Sequence, residues 1–233
     1  LIAAIVVSPV RAGPAAVASP SLDITAAARA IGRQRPLRLV TAGYLGHMWE
    51  LYALWAWMAA FFTAARRAAS GATPSVTETG LVAFFAIGVA GMAGSVVAGR
   101  LADRIGRTTT ISGAMLLSAA CCLASPLAFT ASTAVLVVVL IIWGAAVIAD
   151  SAQFSAAATE LAEARYAGSI LALQLALGFI LTVASIRLVP FAADAVGWRF
   201  ALLPLATGPL LGTLAMLRLR ALPAARQLAG GRR

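Results

Sequence analysis

His47 and Glu50 stand three residues apart in the run Gly43-Tyr44-Leu45-Gly46-His47-Met48-Trp49-Glu50-Leu51-Tyr52-Ala53-Leu54-Trp55. On a helix that spacing puts both on one face, and Gly43, Gly46 and Trp57 fall on the same side. The flanks are apolar, so the helix holds Glu50 near mid-membrane. A carboxylate at that depth is costly unless it faces protein or a water-filled cavity, which gives it a functional expectation. A carboxyl and an imidazole sharing a face can exchange a proton near neutral pH, provided that water reaches them. Contact with a solute is the other functional reading. The structural alternative is a hydrogen bond between His47 and Glu50 that joins this helix to a neighbour and does nothing more. Two ligands without further His or Cys fall short of the three or four that zinc takes, so no metal is expected.

Asp150 and Gln153 repeat the three-residue spacing, and Glu160 follows seven positions later on nearly the same face. Asp150 lies deepest, and two readings of it stand level: pairing with an arginine of a basic loop to close one mouth of the protein, or a structural charge. Glu160, Glu163 and Arg165 read as ordinary interfacial charges. Gln174, Gly178 and Ser185 align on one side of a further apolar stretch, and that side should face protein. Gln174 either lines a solute route or makes an interhelical hydrogen bond, typically worth about 0.6 to 2 kcal/mol.

The basic loop is Gly99-Arg100-Leu101-Ala102-Asp103-Arg104-Ile105-Gly106-Arg107, set between two apolar spans. Arg104 and Arg107 can meet lipid phosphates at a membrane face. Gly99 and Gly106 allow close backbone approach, and Asp103 is placed where a helix N-terminus would welcome an anion. This string resembles the G-x-L-a-D-r-x-G-r signature of the major facilitator superfamily of secondary transporters. The run around His47 is similar to the seventh helix of some bacterial members. Ala149-Asp150-Ser151-Ala152-Gln153-Phe154-Ser155 is similar to their tenth.

In that superfamily the signature lies between the second and third helices and recurs between the eighth and ninth. The short apolar stub at the start and the long basic linker after it favour the second placement. The resemblance, over about Arg33 to Leu222, therefore implies an all-α polytopic membrane protein of six transmembrane helices forming the C-terminal half of a major facilitator-type fold. It further implies a small-molecule substrate moved by proton-coupled secondary transport. It also implies a partner for Asp103 on a second six-helix half, missing here or carried on another chain. A permease subunit of an ATP-driven transporter is the alternative, with Glu160 to Gly168 as a weak coupling loop, and a non-transporting remnant is another.

Composition agrees with a membrane solvent. Of 233 residues 61% are hydrophobic and 11% charged, too few charges to cover a soluble domain. The net charge of +10 resides in arginines beside apolar spans, which suits anionic lipid headgroups rather than nucleic acid. Every basic residue is arginine, so a P-loop lysine and a lysine Schiff base are excluded. No Gly-x-Ser-x-Gly elbow accompanies His47, and neither an enzyme nor a cofactor is expected. Gly88, Gly91 and Gly94 read as close helix packing. Adjacent Cys121 and Cys122 read as packing residues, and Trp49, Tyr52, Trp55 and Trp57 as interfacial anchors and packing groups.

These groups need helices to place them. Residues 1–12 read as an apolar stub and the end of a longer helix, 13–38 as a cytoplasmic linker, 39–220 as the membrane domain and 221–233 as a basic cytoplasmic tail. The six spans fall near 39–65, 80–102, 109–127, 133–158, 166–190 and 200–217, each about long enough to cross. The hairpin between the third and fourth is expected to turn from Ser125-Pro126 to Thr133. With this topology 14 arginines lie on one side and 4 on the other, which places both termini and the signature loop in the cytoplasm of a cell (inner) membrane protein.

Overall fold

The computed structural model describes residues 22–232, so the stub lies outside the described residues. The described chain is helical. α1 (Ile24–Arg33) leads into α2 (Arg35–Ser70), and α3 (Val76–Ala83) continues through a π-helical stretch, Phe84–Ala90, into α4 (Gly91–Ile105). Then come α5 (Arg107–Phe129), α6 (Thr133–Ala149), α7 (Ser151–Leu161), α8 (Ala167–Val196) and α9 (Thr207–Arg220). Short 3₁₀ turns at Ala164–Tyr166 and Leu203–Ala206 precede α8 and α9, and a 3₁₀ run, Pro223–Gly231, follows.

Local chemistry sets several boundaries. α2 starts with a proline in its first turn, which needs no N–H there, and stops at Gly71 with φ +68°. Ser75 caps α3 by accepting from the Glu78 N–H at 3.1 Å, in a Ser-x-x-Glu box. Gly106, at φ +95° and ψ 153°, makes the sharp joint between α4 and α5. One expectation is corrected here. α5 runs through Pro126 to Phe129, so the hairpin turns only over Thr130 to Ser132; Pro126 forgoes the hydrogen bond to the carbonyl four residues back, and the helix continues only to Phe129 beyond it. Within residues 13–38 the structure adds a helix: α1, capped by Asp23, whose carboxylate accepts from the Ala26 N–H. The Asp23 N–H donates to Ser169 Oγ at 2.9 Å, docking α1 on the start of α8.

Four helical stretches among the described residues are long and apolar enough to cross a membrane: Val76–Ile105, Arg107–Phe129, Thr133–Leu161 and Ala164–Val196. The six crossings expected are thus not all met by length and composition. α9 is short at 14 residues. α2, with 36 residues, spans about 54 Å at 1.5 Å per residue but is diluted by His47, Glu50, tyrosines and tryptophans. The protein is a multi-pass membrane protein, and its outward apolar side chains, such as Phe84, Met92, Leu127 and Ile180, meet lipid rather than water.

α2 is the central post, packed most extensively against α9 and α8. Glycines set the approach. A Cβ on Gly46 would strike the Gly208 carbonyl oxygen, and one on Gly208 would strike that of Gly46, so α2 and α9 touch backbone to backbone. A second contact of this kind joins α6 to the span of α3 and α4, where Gly144 meets the Ala86 carbonyl in the π-helical stretch and Gly94 meets that of Ala145. Gly91 and Gly94 are therefore packing residues as expected, whereas Gly88 touches only its own Phe84. Cys121 and Cys122 are buried and unbridged, and the Cys122 thiol donates to the Leu202 carbonyl at 3.1 Å.

Candidate functional site

Three ionisable side chains are withdrawn from solvent in the middle of this bundle: Glu50 is 1% exposed, His47 2% and Asp150 2%. Burying such groups is tolerable only when neighbours replace the lost water. Glu50 meets that condition fully. One oxygen accepts from Trp143 Nε1 at 2.8 Å and the other from Ser118 Oγ at 2.7 Å, so α2, α6 and α5 converge on one carboxyl group. The His47–Glu50 hydrogen bond of the structural alternative is not made, because the imidazole turns instead toward Asp150 and α7.

His47 Nδ1 lies 2.9 Å from Asp150 Oδ1, but without the geometry of a directed hydrogen bond. His47 Nε2 and Asp150 Oδ1 are both buried without a hydrogen-bond partner. The imidazole packs beside the rings of Tyr44 and Phe154, with centroids 6.1 and 5.7 Å away, and those two rings also meet edge to face. Asp150 owes its position to a break: α6 ends at Ala149, α7 starts at Ser151, and the Asp150 carbonyl accepts from both Gln153 and Phe154 N–H groups. The fourth span is therefore interrupted where its carboxylate sits, with neither glycine nor proline at the break.

Arg107, at the start of α5, ties that helix to α7. Its Nε and Nη2 donate to the two oxygens of Glu160 at 2.8 and 2.7 Å, and its Nη1 donates to Gln153 Oε1 at 2.6 Å. Such a forked pair fixes geometry as well as charge. Glu160 also accepts from the Ala229 N–H at 3.1 Å, which brings the 3₁₀ run after α9 over the joint, with Leu228 and Ala225 fully buried. Here two expectations change. The loop arginine pairs with Glu160 and Gln153 rather than with Asp150, which lies deeper, and Glu160 is more than an interfacial charge. Glu163 pairs only with exposed Arg165, two residues away.

The rest of the signature loop makes fewer ties. Asp103, Arg100 and Arg104 are exposed, and Asp103 accepts no hydrogen bond among the described residues. Gly99 has nothing within 4 Å of an added Cβ, so no backbone approaches it. Trp57 Nε1 donates to the Ile186 carbonyl at 2.8 Å and its ring meets Trp198, which makes it a tie between α2 and α8. Gln174 likewise donates to Thr41 at 2.9 Å, the interhelical alternative. Ser118, Trp143 and Thr41 are the participants that sequence reasoning missed. A mid-span hydroxyl or indole N–H is a donor that a buried carboxyl requires, and that need was the available signal.

A transporter family described as "Sugar (and other) transporter", one of the major facilitator families, matches residues 42–223, most of the chain. The chain belongs to this family. No curated protein matches it. Membership in the sugar (and other) transporter family accounts for the loop signature and for a membrane domain built around buried polar groups, and the family is one of transporters rather than enzymes. The match begins five residues before His47 and ends beyond α9, so the buried trio and the Arg107 bonds to Glu160 and Gln153 lie inside it.

Proposed function

We propose that this chain forms a six-span half of a proton-coupled secondary transporter, working with a second six-helix half to move a small neutral solute of the sugar class. In this reading α2 and α9 complete the six crossings, α9 being extended by the Leu203–Ala206 turn before it. The arginine distribution supports an orientation with both termini and Arg104 in the cytoplasm. The exposed, unbonded Asp103 supports a partner surface for the second half. The observation that carries the coupling is the His47–Asp150 contact. His47 Nε2 and Asp150 Oδ1 are buried without hydrogen bonds among the described residues, whereas both Glu50 oxygens are occupied, and intramembrane ionisable groups mark proton and solute routes.

The test uses cells expressing the protein from its own locus, given a panel of labelled monosaccharides with and without an imposed pH gradient. Asp150→Asn is expected to abolish gradient-driven accumulation of the transported sugar while leaving downhill flux. Wild-type accumulation by that variant, at equal expression, removes the pair from coupling. Absence of any uptake that depends on this protein removes the sugar reading. For orientation, a cysteine at Arg104 should resist an impermeant reagent that labels one at Thr130, and the reverse pattern inverts the topology.

A further inference from the structure

Between α4 and α5, with α6 as its floor, runs an open groove of about 580 Å³ lined almost wholly by apolar and small side chains, among them Gly94, Val97, Leu101, Ile105, Gly113 and Ala145. The close passage of Gly94 over Ala145 draws α4 onto α6, while α5 stands off and leaves the trough open. Its α4 wall extends from Ala90 to Ile105, about 22 Å at 1.5 Å per residue. One leaflet is about 15 Å deep, half of a hydrocarbon core of about 30 Å. The groove is thus long enough to take an acyl chain lying along one leaflet. No side chain fills it: Val97, Leu101 and Ile105 remain exposed, and a Cβ added at Gly113 would meet nothing within 4 Å.

Charge marks one end. The lining positions Ala93 and Val97 continue at helical spacing into Arg100 and Arg104, both exposed and without an ion pair among the described residues. Across the mouth, the Arg220 guanidinium donates to the lining residue Thr109. Exposed Asp103 is the one opposing charge on this stretch of α4. We propose that this groove is a binding site for one anionic phospholipid, with an acyl chain in the trough and the headgroup phosphate held by Arg100 and Arg104. The inference depends on the membrane character of the chain and not on what it transports.

The test is native mass spectrometry of the purified chain in neutral detergent, titrated with phosphatidylglycerol or with phosphatidylcholine of the same acyl chains. Phosphatidylglycerol should bind the more tightly. The paired variant Arg100→Gln/Arg104→Gln should lose about 5-fold in phosphatidylglycerol affinity per arginine, about 30-fold together, with little change for phosphatidylcholine. Gly113→Leu, which fills the trough, should weaken both lipids while leaving helicity and thermal midpoint unchanged. Equal binding of the two lipids by the unaltered chain would overturn headgroup recognition. Undiminished binding by both the arginine pair and Gly113→Leu would place the lipid elsewhere. Loss of pairing with a second half in Gly113→Leu, with lipid binding intact, would show that a helix and not a lipid covers the groove.

Discussion

Replacing Trp143 with phenylalanine tests whether the buried carboxyl of Glu50 holds three helices together. The substitution keeps an aromatic ring but removes the Nε1 donor 2.8 Å from one Glu50 oxygen, and no solvent can take its place because Trp143 is fully buried. A hydrogen bond to a charged group contributes about 1.5–3 kcal/mol, whereas interhelical bonds between neutral groups in membranes average about 0.6 kcal/mol. The lost ring volume adds a packing cost, which a double-mutant cycle with Glu50→Met removes. Equilibrium unfolding in mixed micelles, followed by circular dichroism, should give a coupling energy of about 2 kcal/mol, roughly a 30-fold change in the folded ratio. A coupling below about 0.5 kcal/mol would mean that the indole and the carboxyl are neighbours without being partners, and that Glu50 is anchored some other way.

Arg107→Lys replaces a fork with a point charge at Glu160, and should cost about 1 kcal/mol of stability, a modest figure because both side chains are partly exposed, while raising amide exchange at Ala229. Gly46→Ala drives a methyl into the Gly208 carbonyl and should destabilise by about 1–3 kcal/mol in the same unfolding assay, whereas Gly99→Ala, with open space around it, should be neutral or stabilising. Gly106→Ala puts a side chain on a residue at φ +95° and should cost about 1–3 kcal/mol, measured as a lower thermal midpoint.

Hydropathy and the loop signature were enough to read a polytopic helical protein and its superfamily, because a bilayer imposes length and apolarity on each crossing. The partners inside were less legible. Spacing fixes which side chains share a face of one helix, but not the angle at which that face meets the next helix. His47 and Glu50 do share a side of α2, yet one turns to α7 and the other to α5 and α6. Arg107 could be picked out as a loop cation, while its choice of Glu160 over Asp150 depends on depths that only the packed bundle defines. The break at Asp150 left no local mark, since Ala149 and Ser151 are compatible with an unbroken helix. Asp23, by contrast, is a plain capping residue before α1, and the glycines and prolines around it masked a helix that was readable.

The π-helical stretch at Phe84–Ala90 has a consequence for how this span tolerates change in length. Each residue added to a helix turns everything beyond it by about 100°. Ala86 lies inside the stretch and Gly91 and Gly94 just after it, and all three face α6. Removing one residue from the stretch, and with it the slack of the wider turn, would swing Gly91 and Gly94 away from Ile148 and Ala145 and present bulkier neighbours to the same backbone. The two ends of the span are thus phased against one another through this stretch. Viable insertions or deletions are expected in the turn at Thr130 to Ser132, where no such phase is kept, and not between Ala86 and Gly94.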